Sequence, residues 1–120
     1  GRRRASRTLA EVRREQAVVA YEQTIEAAFR DVSDALAAQR WLAEQVRILS
    51  DTLLSQTERA RLAKLRYDSG AARYLEVLDA QRELLSAEQQ LVQTRRAQLA
   101  AQIALYAALG GGSQHVAARD

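Results

Sequence analysis

The fold of this chain is decided by one stretch near its middle, Leu65-Arg66-Tyr67-Asp68-Ser69-Gly70-Ala71-Ala72-Arg73-Tyr74-Leu75-Glu76-Val77-Leu78-Asp79-Ala80-Gln81. Gly70 is the only glycine between Gly1 and the run 110–112, and the chain contains no proline. Glycine supplies the left-handed backbone that ends a helix, and aspartate and serine favour turns because their side chains bond nearby backbone groups. The stretch therefore predicts an antiparallel helical hairpin with its turn at residues 68–71. A single helix that continues through Gly70 is the competing interpretation.

The composition is that of long helices. Of the 120 residues, 48% are hydrophobic and 28% are charged, but only 5% are aromatic, and cysteine and methionine are absent. Chains rich in Ala, Leu, Glu, Arg and Gln form long helices or coiled coils. One Trp and one Phe are too few for a large compact core. The many alanines instead allow two helices to approach closely along a narrow seam.

The first helix is predicted over residues 6–67. Ser6 or Thr8 is the expected N-cap, with Glu11 completing a capping box after Thr8. Apolar residues recur in steps of three and four, and this heptad pattern indicates a coiled coil. The predicted seam consists of Val18, Tyr21, Ile25, Ala28, Val32, Ala35, Gln39, Leu42, Val46, Leu49, Leu53, Gln56, Ala60, Ala63 and Tyr67. Its two glutamines are predicted to set the register or to form a polar lining.

The second helix is predicted over residues 72–109, followed by a flexible tail at residues 110–120 that starts with the glycine run. Its seam consists of Val77, Ala80, Leu84, Ala87, Leu91, Thr94, Gln98, Ala101 and Leu105. A second apolar line repeats every seven residues at Leu78, Leu85, Val92, Leu99 and Tyr106. One hairpin cannot bury both lines, so we expect the isolated chain to self-associate or to pack against further segments.

Charge and residue types exclude several functions. The net charge is +3, with arginine at positions 2, 3, 4 and 7. This basic start is a weak indication of contact with nucleic acid or anionic lipid, and no nucleic-acid partner is predicted. The single histidine, His115, and the lack of cysteine argue against a metal site. No cofactor and no catalytic residues are predicted, and we expect the protein not to be an enzyme.

Three segments, in order along the chain, resemble the outer-membrane efflux channels of the TolC/OprM type. The first is Ala20–Leu36, with the sequence AYEQTIEAAFRDVSDAL. The second combines Arg66–Gly70 with Tyr74–Arg82, and the third is Leu105–Gly112. Residues 1–5 resemble the segment that follows a strand pair of the channel's β-barrel. The chain is thus similar to the C-terminal periplasmic hairpin of such channels.

The resemblance implies a longer parent protein in the outer membrane of a Gram-negative bacterium. That parent is a homotrimer whose barrel crosses the membrane and whose helices form a trimeric α-barrel, a long periplasmic tunnel. Hairpin tips close the tunnel and meet a periplasmic adaptor (membrane fusion) protein, which connects to an inner-membrane pump. The expected function is multidrug or other efflux through a tripartite system.

The resemblance also implies roles for residues around the turn. Its gate positions fall on Tyr67, Leu75, Asp79 and Arg82, and its adaptor-docking tip falls on Asp68, Ser69, Gly70, Ala71, Ala72 and Arg73. Packing in the seam is the alternative for Tyr67 and Leu75, and a surface ion pair is the alternative for Asp79 and Arg82. The competing class of function is a structural or interaction coiled-coil hairpin, as in a periplasmic adaptor or a scaffold.

Overall fold

Two long helices make up the protein. The structure, a computed structural model, describes the backbone of residues 2–117 and the side chains of residues 2–110. Helix α1 spans Arg2–Asp68 and helix α2 spans Tyr74–Ala117, joined by residues 69–73. The helices pack against each other along a body of 101 × 27 × 15 Å. The predicted all-α antiparallel hairpin is therefore confirmed, and the alternative of one uninterrupted helix is wrong.

The core is a thin seam between the helices, richest in alanine near the turn. Ala63, Val77 and Ala80 form a buried cluster, with Ala60 packed against it. Further from the turn, Leu91 is also buried. Small side chains let the two backbones approach, and burial of each larger apolar side chain stabilises the pair by about 1.5–3 kcal/mol.

The predicted heptad register is confirmed from Val32 to Ala63 of α1 and along α2, whereas Tyr67, the last predicted seam position of α1, is exposed. All nine predicted seam positions of α2 are buried or half-buried. In α1 the same holds for every predicted seam position from Val32 to Ala63, including Gln39 and Gln56. These glutamines therefore lie between the helices of one hairpin. This position agrees with a role in register better than with a polar lining.

Two apolar surfaces stay uncovered. Helix α1 has 67 residues and α2 has 44, and every described residue from Arg2 to Asp31 is exposed. The α1 seam positions in this arm, among them Val18, Tyr21 and Ile25, are thus not covered by the side chains that the structure describes. The second line on α2 is exposed along its whole length: Leu78, Leu85, Val92, Leu99 and Tyr106. The hairpin presents more apolar surface than it buries, as the sequence predicts.

The start of α1 differs from the prediction. The helix begins at Arg2 rather than Ser6, so the described part of the predicted barrel connection, residues 2–5, is helical. Thr8 does not cap a helix: its hydroxyl donates a hydrogen bond to the carbonyl of Arg4 at 2.9 Å. A threonine inside a helix satisfies its hydroxyl in this way. The capping-box interpretation is wrong, because residues 2–7 contain neither glycine nor proline and α1 already includes them.

The limits of α2 also differ. Its first residue is Tyr74 instead of Ala72, and it continues through the glycine run to Ala117, where a flexible tail was expected from residue 110. A glycine in a helix costs only about 1 kcal/mol relative to alanine, and Gly70 is the only described glycine with positive φ. The run therefore lowers helix stability without ending the helix. Gly1 and residues 118–120 lie outside the described residues, as do the side chains of 111–117, including that of His115.

Candidate functional site

The hairpin tip is built by a hydrogen-bonded helix end. The amide of Ala71 donates to the carbonyl of Arg66 at 2.8 Å, and the amide of Gly70 donates to the carbonyl of Tyr67 at 3.0 Å. Gly70 has φ of 78°. These two hydrogen bonds and the left-handed glycine form a Schellman motif. The motif provides donors for backbone carbonyls at the end of α1 that have no partner within the helix. The Ser69 hydroxyl donates a further bond to the Arg66 carbonyl at 3.0 Å.

Helix α2 starts directly after the turn. The amide of Glu76 donates to the carbonyl of Arg73 at 3.1 Å, so Arg73 flanks the helix. The carboxylate of Glu76 lies in the first turn of α2, where the helix dipole favours negative charge. The backbone on both sides of the turn is thus fixed by local hydrogen bonds.

Two side-chain contacts connect the helices across the tip. The rings of Tyr67 and Tyr74 are tilted by 60° with centroids 5.1 Å apart, a geometry worth about 0.5–1.5 kcal/mol beyond area burial. Arg66 Nε lies 3.7 Å from Glu76 Oε2, and both side chains are more than half exposed. An exposed ion pair of this kind contributes little stability. The tyrosine pair and the backbone bonds therefore supply most of the local stabilisation of the tip.

The predicted gate residues lie outside the buried seam. Tyr67 is 43% exposed and Leu75 is 61% exposed, whereas the buried cluster ends at Ala63 and Val77. Neither side chain belongs to the buried seam, although the ring of Tyr67 contacts that of Tyr74 across the tip. Their apolar surface is available to a neighbouring molecule.

Asp79 and Arg82 are also exposed. Four ion pairs are present among residues 2–110, and neither residue takes part in one. Asp79 and Arg82 therefore do not form the surface ion pair that was the alternative interpretation. Both charges are thus exposed and have no ion-pair partner among residues 2–110.

The six predicted docking residues are brought together in one compact turn. Asp68 ends α1, Ser69 to Arg73 form the connection, and only Ala72 among the six is half-buried. The tip therefore presents an exposed turn whose backbone is held in one conformation. Such a turn can be recognised without first being ordered.

Three residues of the tip were not among the predicted site residues: Arg66, Tyr74 and Glu76. Their contacts across the tip can be predicted from the sequence. In an antiparallel hairpin, residues at equal distance from the turn face each other, and both cross-tip pairs lie nearly symmetrically about Gly70 and Ala71. Counting outward from the predicted turn identifies these partners.

Other charged pairs lie along the surface of α1 and do not mark a site. A hydrogen bond from Arg47, reinforced by its charge, lowers the pKa of Glu44. The equivalent bond from Arg61 lowers the pKa of Glu58. No group of three acidic, histidine or cysteine residues that would suit a metal occurs among the described residues. None of the described helices is apolar over a length sufficient to span a bilayer.

The fold is thus a solvent-exposed hairpin of two long helices, with a hydrogen-bonded tip and exposed apolar lines on which further helices can pack. The family model described as outer membrane efflux protein matches residues 1–111. The chain therefore belongs to the outer membrane efflux protein family.

Three relatives illustrate the match. The cation efflux system protein CusC of Escherichia coli K12 is 43% identical over 112 residues, which make up 93% of this chain and 24% of CusC. The toluene efflux pump outer membrane protein TtgI of Pseudomonas putida is 41% identical, and the match covers 93% of this chain and 24% of TtgI. The outer membrane protein OprJ of Pseudomonas aeruginosa is 44% identical, and the match covers 93% of this chain and 23% of OprJ. The chain spans about a quarter of the length of these relatives.

A solved structure shows the same fold. It is a crystal structure of CusC from a study of conformational changes that accompany folding and transmembrane channel formation. The superposition has a TM-score of 0.76 at 42% identity and covers 80% of this chain and 27% of the CusC chain. The hairpin is therefore a fold element shared with a larger channel protein.

Proposed function

We propose that this chain forms part of the wall and the periplasmic tip of the tunnel in an outer-membrane efflux channel. In this proposal the channel is a homotrimer in a Gram-negative outer membrane, and the hairpin lies in the periplasm. It acts with a periplasmic adaptor and an inner-membrane pump. Support comes from family membership and from relatives that are named as efflux pump components.

The observation that carries the proposal is the exposed second line on α2. Leu78, Leu85, Val92, Leu99 and Tyr106 recur every seven residues, and all of them are exposed in the hairpin. A helix in the wall of a tunnel needs two neighbours, one on each side. The seam supplies one neighbour, α1, and a heptad-spaced apolar line is the surface that a second helix requires. A scaffold made of these two helices alone would leave the apolar side chains of this second line exposed to water.

The tip residues receive roles within the same proposal. Asp68–Arg73 forms the surface for the adaptor, since its backbone is preformed and its side chains are exposed. Tyr67, Leu75, Asp79 and Arg82 form the gate that narrows the closed tunnel. Their exposure beyond the end of the seam supports this assignment.

This segment does not determine which compound the channel transports. Relatives with 43% and 41% identity over nearly the whole chain are named for cation and for toluene efflux. A wall segment so similar in channels with such different cargo is not selective by itself. We therefore assign selectivity to the pump.

Thiol labelling tests the wall arrangement. The chain has no cysteine, so Val92→Cys and Gln93→Cys can be compared with a maleimide reagent in the full-length channel. Adjacent helical residues are about 100° apart around the axis, so the two thiols sample different sides of α2. We expect Val92→Cys to be protected and Gln93→Cys to be labelled.

The isolated 120-residue chain gives the control, measured at concentrations at which it is monomeric. Both positions are exposed in the hairpin, so both thiols should react at similar rates there. Equal labelling of both thiols in the full-length channel would show that no helix covers the second line. That result would contradict the tunnel-wall arrangement.

A further inference from the structure

Helix α2 carries two cations far from the tip that the hairpin does not neutralise. Arg95 and Arg96 are exposed, and neither takes part in an ion pair among residues 2–110. They are the only charged residues in the segment 89–110. Glu88, the nearest acidic residue of α2, lies about 11 Å from Arg95 along the helix axis. A closer counter-charge within the hairpin would therefore have to come from α1.

The acidic residues of α1 at this height already contact another arginine. In an antiparallel hairpin, residues at equal distance from the turn lie side by side, which places Val46 level with Arg96. Glu44 and Asp51 flank this level, and their carboxylates lie 2.6 Å and 3.4 Å from the guanidinium group of Arg47. Both carboxylates are thus held on the surface of α1. The two arginines of α2 keep their charge exposed to solvent.

The two arginines lie on different faces of α2. Adjacent helical residues are about 100° apart around the axis, whereas the same face of a coiled coil returns every seven residues. Two steps of seven lead from Arg82, a proposed gate residue, to Arg96. Arg95 is not reached in this way from either charged gate residue. We call the face shared with the gate the gate stripe, and its members are Asp79, Arg82, Ser86, Gln89, Gln93 and Arg96.

The gate stripe is polar along its whole length. Its six side chains are all exposed, and none of them is apolar. The seam and the second line of α2 are apolar and suit contact with other helices, whereas a polar stripe suits contact with water. The opposite charges of Asp79 and Arg82 balance each other, and serine and glutamine are neutral. Arg96 is therefore the single unbalanced charge of the stripe.

We propose that Arg96 attracts anions inside the tunnel and so favours the passage of small anions over small cations. This inference rests on the proposed function, in which the gate residues face the lumen of a homotrimer. Arg96 then contributes a ring of three guanidinium groups about 21 Å from Arg82 along the helix. Rings of arginine or lysine favour anions in a pore. The effect depends only on the sign of the charge and leaves recognition of the transported compound to the pump.

Reversal potentials of the full-length channel in planar bilayers, measured across a KCl gradient, test the proposal. At about 0.1 M salt the Debye length is about 10 Å, close to the diameter of a helix. A charge on the lumen side of α2 then acts on ions in the tunnel, whereas a charge on another side is screened. We expect Arg96→Gln to lower the permeability ratio of chloride to potassium about twofold. The difference should vanish at about 1 M salt, where the Debye length is about 3 Å.

The matched control is Arg95→Gln, which removes the same charge from the adjacent position. It should leave the permeability ratio nearly unchanged, and Arg96→Lys, which keeps the charge, should do the same. Glutamine and arginine have similar helix propensities, so both glutamine variants should fold, which circular dichroism verifies. An unchanged ratio in Arg96→Gln would overturn the proposal. An equal or larger shift in Arg95→Gln would also overturn it, because the gate stripe would then not be the face that lines the tunnel.

Failure of this inference can be told apart from failure of the proposed function. The reversal potential measures the charge that faces the lumen, whereas thiol protection at Val92 measures the wall arrangement. If Val92→Cys is protected in the full-length channel and Arg96→Gln leaves the permeability ratio unchanged, the tunnel wall remains and only the role of Arg96 fails. If Val92→Cys is labelled as readily as Gln93→Cys, the wall arrangement fails, and the role of Arg96 fails with it.

Discussion

At the scale of single residues, two glycines in the same chain have opposite roles. Gly70 has φ of 78°, and a Cβ added there would meet no atom within 4 Å. Any cost of a side chain at Gly70 therefore comes from the backbone conformation and not from a clash. Gly110 lies within α2, and a Cβ there would also enter open space. Here a side chain would meet neither strain nor a clash.

We expect alanine substitutions at these two glycines to have opposite signs. Gly70→Ala should lower the free energy of unfolding by about 1–2 kcal/mol, because L-residues are disfavoured in the left-handed region. Gly110→Ala should raise it by up to about 1 kcal/mol, because alanine is the better helix former. Thermal unfolding followed by circular dichroism measures both changes.

The control is Gly70→Asn, because asparagine tolerates the left-handed conformation better than alanine. It should recover part of the stability that Gly70→Ala loses. If Gly70→Ala leaves the melting temperature unchanged or raises it, the Schellman motif does not limit stability at the tip.

These residues also show what local sequence can and cannot predict. The turn at Gly70 is predictable because Asp68, Ser69 and Gly70 all disfavour a continued helix. The glycine run at residues 110–112 carries only one of these cues, and glycine alone lowers helix stability without requiring positive φ. The contact between Tyr67 and Tyr74 was missed because each residue suits a helix individually, and only the register across the turn brings them together.

At the scale of the helices, stability depends on how closely α1 and α2 approach. Ala80 is 1% exposed and belongs to the buried cluster with Ala63 and Val77. A larger side chain at this position must separate the helices or adopt a strained rotamer. The seam is thus expected to be sensitive to volume at its alanines.

Ala80→Leu should therefore destabilise the hairpin by about 1–3 kcal/mol, the usual cost of overpacking. Ala100→Leu provides the control, because Ala100 is exposed on the same helix and surface changes remain within about 0.5 kcal/mol. Urea unfolding of the two variants measures the difference. A seam that tolerates Ala80→Leu as well as Ala100→Leu does would contradict close packing at this position.

The heptad pattern predicts seam positions accurately where a partner helix exists and cannot show where that partner ends. Val32 and Ala35 are half-buried, whereas Ile25 and Ala28 follow the same pattern and are exposed. The sequence of α1 is equally apolar on both sides of this boundary. The boundary depends on how closely α1 packs against α2, which is a tertiary feature.

At the scale of the whole molecule, the exposed arm of α1 and the second line on α2 require further partners. Large exposed apolar surfaces in soluble proteins mark sites of association. Self-association of the isolated chain thus remains a prediction. In the proposed channel, the same surfaces are covered by neighbouring hairpins.

A closed tunnel also requires contacts across its axis that can be broken. Asp79 and Arg82 suit this role because both are exposed, and neither has an ion-pair partner in the described part of the chain. Their charges are thus free to pair with neighbouring hairpins near the tip. Exposed ion pairs contribute about 0–1 kcal/mol, which is weak enough for the proposed gate to open.

We therefore expect Asp79→Ala with Arg82→Ala to make the full-length channel leak while its fold remains intact. Single-channel conductance in planar bilayers should rise, and the melting temperature should change little, because surface substitutions cost about 0.5 kcal/mol or less. Glu88→Ala with Arg95→Ala removes an equivalent pair of exposed charges further from the tip and should leave conductance unchanged. If both double variants conduct like the unmodified channel, Asp79 and Arg82 are ordinary surface residues. If both leak equally, the effect comes from lost wall charge, and the gate does not lie at these positions.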